Sequence, residues 1–154
     1  MQDHPKKSDQ NIDFGVLDEF LGYRLRRAQM NFFAKFGEVC DDLGISPGLF
    51  AVLAIVDRNP GLTQTAVAQA LGNDRSAMVA AVDKLEGKKL LERRPAANDR
   101  RSYALFMTEE GTAFFANAVE RVSCYENEMA KCLESDKEKQ WLLDMLERLA
   151  HKSL

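Results

Sequence analysis

The sequence predicts a mainly helical chain with one small β-hairpin, ordered α-α-α-α-β-β-α-α, with room for one short extra strand ahead of the third helix. Three observations predict it. Apolar residues recur at three- and four-residue spacing over most of the chain. Two short helical segments, Thr63–Ala70 and Arg75–Lys88, are joined by Leu71-Gly72-Asn73-Asp74, the pattern of a helix-turn-helix. Two short strand-like runs, Leu90–Pro95 and Ser102–Met107, follow at once. The length of 154 residues, 45% of them hydrophobic, suits one domain and allows a sizeable core.

Taken in order, residues 1–12 read as a disordered tail. From about Asp13 to Asp41 a helical pattern runs without Pro, and Leu17, Leu21, Leu25, Ala28, Phe32 and Phe36 form one stripe suited to burial. Tyr23, Met30 and Phe33 fall on roughly the opposite side, beside Arg26 and Arg27. A helix of roughly 40 Å that is apolar on two sides needs a partner beyond one small core. A second helix starts at Ser46-Pro47, an N-cap followed by proline at the first helical position, and stops before Asn59-Pro60-Gly61. Thr63 and Asn73 or Asp74 are the N-caps of the two short helices. Ala96–Arg101, with Asn98-Asp99 as turn signal, closes the hairpin into a wing. Thr108 caps a long helix to about Leu133, with Glu109 and Glu110 where the helix dipole favours acids. Ser135 and Glu138 form a capping box for a last helix bearing Trp141, Leu142, Met145, Leu146 and Leu149.

Composition removes several classes of function. Two histidines, His4 and His151, sit near the ends, so a His-based metal site or hydrolytic triad has almost nothing to be built from. Neither a catalytic set nor a cofactor motif is visible, and an enzyme is not expected. Three cysteines without a CxxC argue against a disulfide scaffold and a zinc ribbon. With no long apolar run and a polar MQDHPKKSDQN start, a cytoplasmic protein without membrane contact is expected.

The net charge of −3 hides an asymmetry. From Arg75 to Arg101 there are eight basic and four acidic residues, a net +4, which leaves −7 on the rest. An acidic body with one basic stretch can dock on phosphate through that stretch. With Met78, Ala81, Val82 and Leu85 facing inward, the second short helix presents Ser76, Ala80, Asp83 and Lys84, with Arg75 and Ala77 near its N-terminal end. Small side chains let a helix approach the major-groove floor, where Arg and Ser read base edges and alanine touches a thymine methyl. Lys84, Lys88 and Lys89 suit phosphates, and Thr63 is assigned to the same backbone contacts. In the wing, Asp99 is expected to pair with Arg101 and orient its guanidinium for a narrow minor groove. Arg94, Asn98 and Arg100 complete the wing's candidate set.

From about residue 13 to 150 the sequence resembles the MarR family of winged-helix transcriptional regulators. The resemblance is strongest in DRSAMVAAVDKLEGKKLLERRP (Asp74–Pro95) and NDRRSYALFMTEEG (Asn98–Gly111). Asp99 and Arg101, then Thr108 and Gly111, match the family's wing signature, with Met107 in place of the usual leucine. Arg75, Ser76, Asp83 and Lys84 match in the recognition helix, whereas Val79 and Ala80 stand where many relatives carry polar or basic residues. The resemblance implies a homodimer whose first, fifth and sixth helices interlock, with two winged helices on a pseudo-palindromic duplex operator. The implied division is an N-terminal dimerisation helix (13–45), a winged helix-turn-helix (46–107) and C-terminal dimerisation helices (108–154).

Relatives commonly act as repressors that release DNA when a small aromatic or anionic ligand binds between the dimer platform and the winged helix. Tyr23, Arg26, Arg27, Met30 and Phe33 would suit a phenolic acid or an aromatic acyl-CoA. Two alternatives stand beside this. One is redox switching through cysteine, although Cys40, Cys124 and Cys132 read as buried structural thiols. The other is a winged helix used for protein–protein contact, distinguished by weak salt dependence.

Overall fold

The computed structural model describes residues 12–152, so the tail predicted for residues 1–12 lies almost wholly outside the described residues. The chain divides into two compact units, Met1–Ala34 and Lys35–Leu154, with one helix running through the division.

In the first unit the predicted start of the long helix is corrected. Residues Gly15–Glu19 form a 3-10 turn, Phe20 is extended, and α1 spans Leu21–Leu43. The break has local causes. Gly15 takes a left-handed φ of 53°, and its N–H donates to Asp13 Oδ1 at 2.8 Å, forming a tight turn ahead of the helix. Arg24 holds the turn from the far side, its Nε donating to Asp18 O at 3.0 Å and its Nη2 3.1 Å from Asp18 Oδ1. The stripe expected to be buried is also corrected. Leu17 and Leu21 are exposed, and none of residues 12–34 is buried within this chain.

The second unit holds the core. It contains α2 (Pro47–Arg58), α3 (Gln64–Leu71), α4 (Arg75–Gly87), β1 (Leu91–Ala96), β2 (Asp99–Met107), α5 (Glu109–Met129) and α6 (Asp136–Ala150). α2 is the hub and packs against α3, α4, α5 and β2. Its Leu49, Val52, Leu53 and Val56 are buried with Val67, Met78, Val82, Leu85, Leu91 and Leu105 from the surrounding elements. Cys40, on the last turns of α1, is buried in the same cluster. Each of the five helices after α1 begins at an N-cap side chain: Ser46, Thr63, Asp74, Thr108 and Ser135. Half of the expected capping box forms, Ser135 Oγ accepting from Glu138 N at 3.2 Å; the Glu138 carboxylate instead accepts from Glu134 N at 2.6 Å, one residue ahead of the N-cap.

β1 and β2 pair antiparallel from Leu91↔Met107 to Pro95↔Tyr103, and the register then jumps to Ala96↔Asp99. Both strands therefore reach further into the tip than expected. The extra strand is only an isolated bridge, Thr63↔Ala104, supported by Gly61 N–H to Leu105 O at 2.9 Å and Leu105 N–H to Leu62 O at 3.0 Å. α5 ends at Met129, short of the expected Leu133, because residues Ala130–Cys132 tighten into a 3-10 turn and Leu133 is extended. α6 buries none of its residues within the chain, and its Trp141, Leu143, Leu146 and Leu149 stay exposed. Cys124 and Cys132 are exposed, which corrects their assignment as buried thiols; only Cys40 is buried. Among the described residues no single helix is long and apolar enough to cross a membrane.

Candidate nucleic-acid interface

The helix-turn-helix is built from local chemistry. Thr63 Oγ1 accepts from Ala66 N at 3.2 Å and starts α3. Gly72 ends it with a left-handed φ of 66°, which glycine adopts without a Cβ clash. Asn73 N–H returns to Ala68 O at 2.9 Å, and Asp74 Oδ1 accepts from Ala77 N at 2.8 Å to start α4. Met78, Val82 and Leu85 have no exposed surface, and Ala81 is half-buried. This fixes the rotation of α4, so Arg75, Ser76, Ala77, Ala80 and Lys84 all stand on the exposed side. The sequence phase of this helix is correct.

Beside α4 runs a groove of about 400 Å³ whose walls include Gln64 and Thr65 of α3, Arg75 and Val79 of α4, and Arg101 and Tyr103 of β2. Helix face and wing thus border one concave surface. Lys88 and Lys89 are exposed just beyond α4, where Lys89 holds a φ of 60° that is unusual for a residue with a side chain. The capping role of Thr63 leaves its hydroxyl proton as the group available for a further bond.

The wing departs from expectation in two places. Asp99 does not use its carboxylate on the Arg101 guanidinium. It accepts from the backbone N–H of Arg101 at 2.9 Å and from the Ser102 hydroxyl at 3.0 Å, because those donors lie nearer along a tight turn. Arg94 is bound to Glu92 and lies over the Phe106 ring at 4.1 Å, so its charge is partly committed inside the hairpin. Asn98 and Arg101 are exposed, and the side chain of Arg100 lies outside what is described.

Sequence reasoning missed Arg93. Its Nε donates to Gln64 Oε1 at 2.9 Å and its Nη1 lies 2.8 Å from Asp83 Oδ1 and also on Glu86. Nη2 donates to Val79 O at 3.3 Å, and its backbone N–H donates to Glu86 Oε1 at 2.9 Å. It also missed the seat of α5. Thr108 N–H donates to Leu90 O at 3.1 Å, and its hydroxyl donates to Lys89 O at 2.6 Å while accepting from Gly111 N at 2.8 Å.

The candidate effector residues share one face of α1. Tyr23 packs against Phe14 with ring centroids 6.1 Å apart, and the Arg27 guanidinium lies over the same ring at 5.2 Å. Phe14 is a member of this group that the sequence did not single out. Arg26 is exposed, as are Met30 and Phe33. Among the described residues no group of three or more His, Cys, Asp or Glu could hold a metal ion. Burial, and secondarily Asp41, push the Cys40 thiol above its ordinary range, which suits a structural thiol rather than a reactive one.

A family model described as MarR family matches residues 43–102. A putative transcriptional regulatory protein for the hcr operon of Thauera aromatica is 38% identical over 147 residues, covering 94% of this chain and 88% of that protein. Two solved structures of the transcriptional repressor CouR are similar along their whole length. One, bound to a 23-mer DNA duplex, is 37% identical with a TM-score of 0.87, covering 92% of this chain and 100% of that one. The other, bound to p-coumaroyl-CoA, is 35% identical with a TM-score of 0.81, covering 93% of this chain and 100% of that one.

Proposed function

Because the chain belongs to the MarR family, we propose that it is a dimeric, sequence-specific DNA-binding transcriptional repressor, released from its operator by a phenolic acid or an aromatic acyl-CoA. The observation that carries the DNA reading is the shared groove: the exposed face of α4 and the wing strand β2 border one concavity. Its fold matches that of CouR on a duplex at a TM-score of 0.87. Arg75, Ser76, Ala77 and Ala80 read base edges in the major groove, and Lys84, Lys88, Lys89 and Thr63 meet phosphates. Asn98, Arg100 and Arg101 enter the minor groove from a wing whose tip Asp99 braces, with Arg94 at the wing's flank.

Association of two copies through residues 13–45 and 108–154 is supported by the apolar surface these segments leave uncovered, from Phe14 and Phe20 to Trp141 and Leu146. Two copies place two winged helices, residues 46–107 of each, on half-sites about one DNA turn apart. The acyl-CoA reading is supported by the p-coumaroyl-CoA held by CouR and by the aromatic and cationic face of α1 here. Tyr23, Arg26, Arg27, Met30 and Phe33 form that face, and such a regulator acts in the cytoplasm.

Fluorescence anisotropy on labelled DNA from upstream of the protein's own gene, beside an unrelated duplex at two salt concentrations, tests the reading. Tight, salt-sensitive binding to the first duplex is expected, weakened across sequences by Arg101→Ala, with release on adding p-coumaroyl-CoA. Failure on both duplexes at low salt sinks the DNA assignment. Binding unaffected by the thioester removes the ligand from it.

A further inference from the structure

We propose that Arg93 is the positioning residue of the DNA-binding surface: one guanidinium sets the spacing between α3, α4 and the wing and cancels carboxylate charge beside the groove. The inference rests on the DNA reading above. Arg93 stands on β1, yet each of its nitrogens is spent on a helix. Nε holds Gln64, the first residue of α3, and Nη2 holds the Val79 carbonyl of α4. Nη1 reaches Asp83 and Glu86, one and two turns further along α4. Glu86 also grips the backbone N–H of Arg93, so the clamp fixes the strand as well as the side chain. The side chain is only 15% exposed, which limits both its rotamers and its screening by solvent.

Geometry requires arginine here. A lysine ammonium is a point charge that could face the two carboxylates, but it lacks the planar fork that also reaches Gln64 and the Val79 carbonyl. The electrostatic part follows from the same contacts. Asp83 is 61% exposed on the flank of the proposed recognition helix, where a free carboxylate would repel phosphate. Paired with Arg93, Asp83 and Glu86 together present one net negative charge instead of two.

Arg93→Lys keeps the charge and removes the fork, so it separates placement from simple neutralisation. Anisotropy on operator and unrelated duplexes should show an unchanged salt slope and unchanged non-specific affinity. The ratio of specific to non-specific affinity should fall about tenfold, because two directional bonds to a charged group are lost. The unfolding midpoint, read by circular dichroism, should fall by several degrees at most, since the same bonds support the free fold, and the variant stays folded at the assay temperature. An unchanged ratio overturns the role, and so does a parallel loss of both affinities together with the unfolding midpoint. If Arg93→Lys does not fold, Gln64→Leu removes the α3 arm alone and should lower the ratio about threefold; no change in it overturns the role. A parent protein that binds both duplexes equally refutes the DNA reading and this role with it, whereas a discriminating parent with an unaffected variant refutes this role alone.

Discussion

Replacing Gly111 with alanine tests how α5 is seated on the wing's root. A Cβ at this position meets the Leu90 carbonyl oxygen at 1.9 Å, its carbon at 2.8 Å and the Leu90 Cα at 3.1 Å. Carbon contacts are comfortable only near 3.5 Å, so Leu90 or the first turn of α5 must retreat by more than about 1 Å. All three obstacles are backbone atoms, and no rotamer change can clear them. The retreat pulls on the Thr108 N–H bond to Leu90 O and the Thr108 hydroxyl bond to Lys89 O. Overpacking costs about 1–3 kcal/mol and each weakened hydrogen bond about 1 kcal/mol. Replacing glycine inside a helix returns at most about 1 kcal/mol, which leaves a net loss of about 2–4 kcal/mol. In a chain of this size that lowers Tm by roughly 5–15 °C. Thermal unfolding should be followed by circular dichroism at one fixed protein concentration, because the proposed self-association would make Tm concentration-dependent. Gly87→Ala is the control, since a Cβ there meets nothing within 4 Å, and it should melt within a few degrees of the parent. A Gly111→Ala protein that melts with that control would refute the close approach of α5 to Leu90.

Two further outcomes follow from single residues. Lys89 holds a φ of 60°, a strain of about 1 kcal/mol, partly offset in a glycine variant by chain entropy. Lys89→Gly should therefore melt no lower than the parent, while its DNA affinity falls and the salt slope drops by about 1; an unchanged slope removes Lys89 from the phosphate contacts. Cys40 carries a thiol raised above its ordinary 9.0, by burial first and Asp41 second. The folded chain keeps that proton where the unfolded chain has lost it. Its stabilising share is thus whole below pH 9.0 and disappears as pH climbs through the folded value. Urea midpoints measured across that alkaline window should decline more steeply for the parent than for Cys40→Ala, and equal slopes would contradict this.

Helix starts after residue 45 were readable because each is a local act of capping. Ser46, Thr63, Asp74, Thr108 and Ser135 bond to N–H groups three residues on, a distance a sequence displays directly. The exposed side of α4 was readable because Met78, Val82 and Leu85 fix its rotation. The break at Phe20 was not, since apolar spacing continues through it and the turn depends on the backbone of Gly15 and the reach of Arg24. Arg93 was hidden for a different reason: its partner Gln64 is 29 residues away, and no periodicity links them. Asp99 and Arg101 are spaced for an ion pair or for a backbone turn, and composition favours neither. Phe14 joined the aromatic face of α1 by folding back through the 3-10 turn, which a continuous helix would have carried elsewhere.

The way β2 is hydrogen-bonded gives the hairpin two mechanical regimes. Around Leu105 the strand is held on both edges, by β1 on one side and by Gly61 and Leu62 on the other. Beyond Tyr103 the pairing slips to Ala96↔Asp99 and leaves surplus chain on one strand only. A bending force applied at Arg101 therefore meets the Asp99 carboxylate's bonds to Arg101 N and Ser102 Oγ before it reaches the doubly held root. On the proposed DNA reading, the tip adapts to minor-groove width, while α3, tied to the root through Thr63, keeps its place.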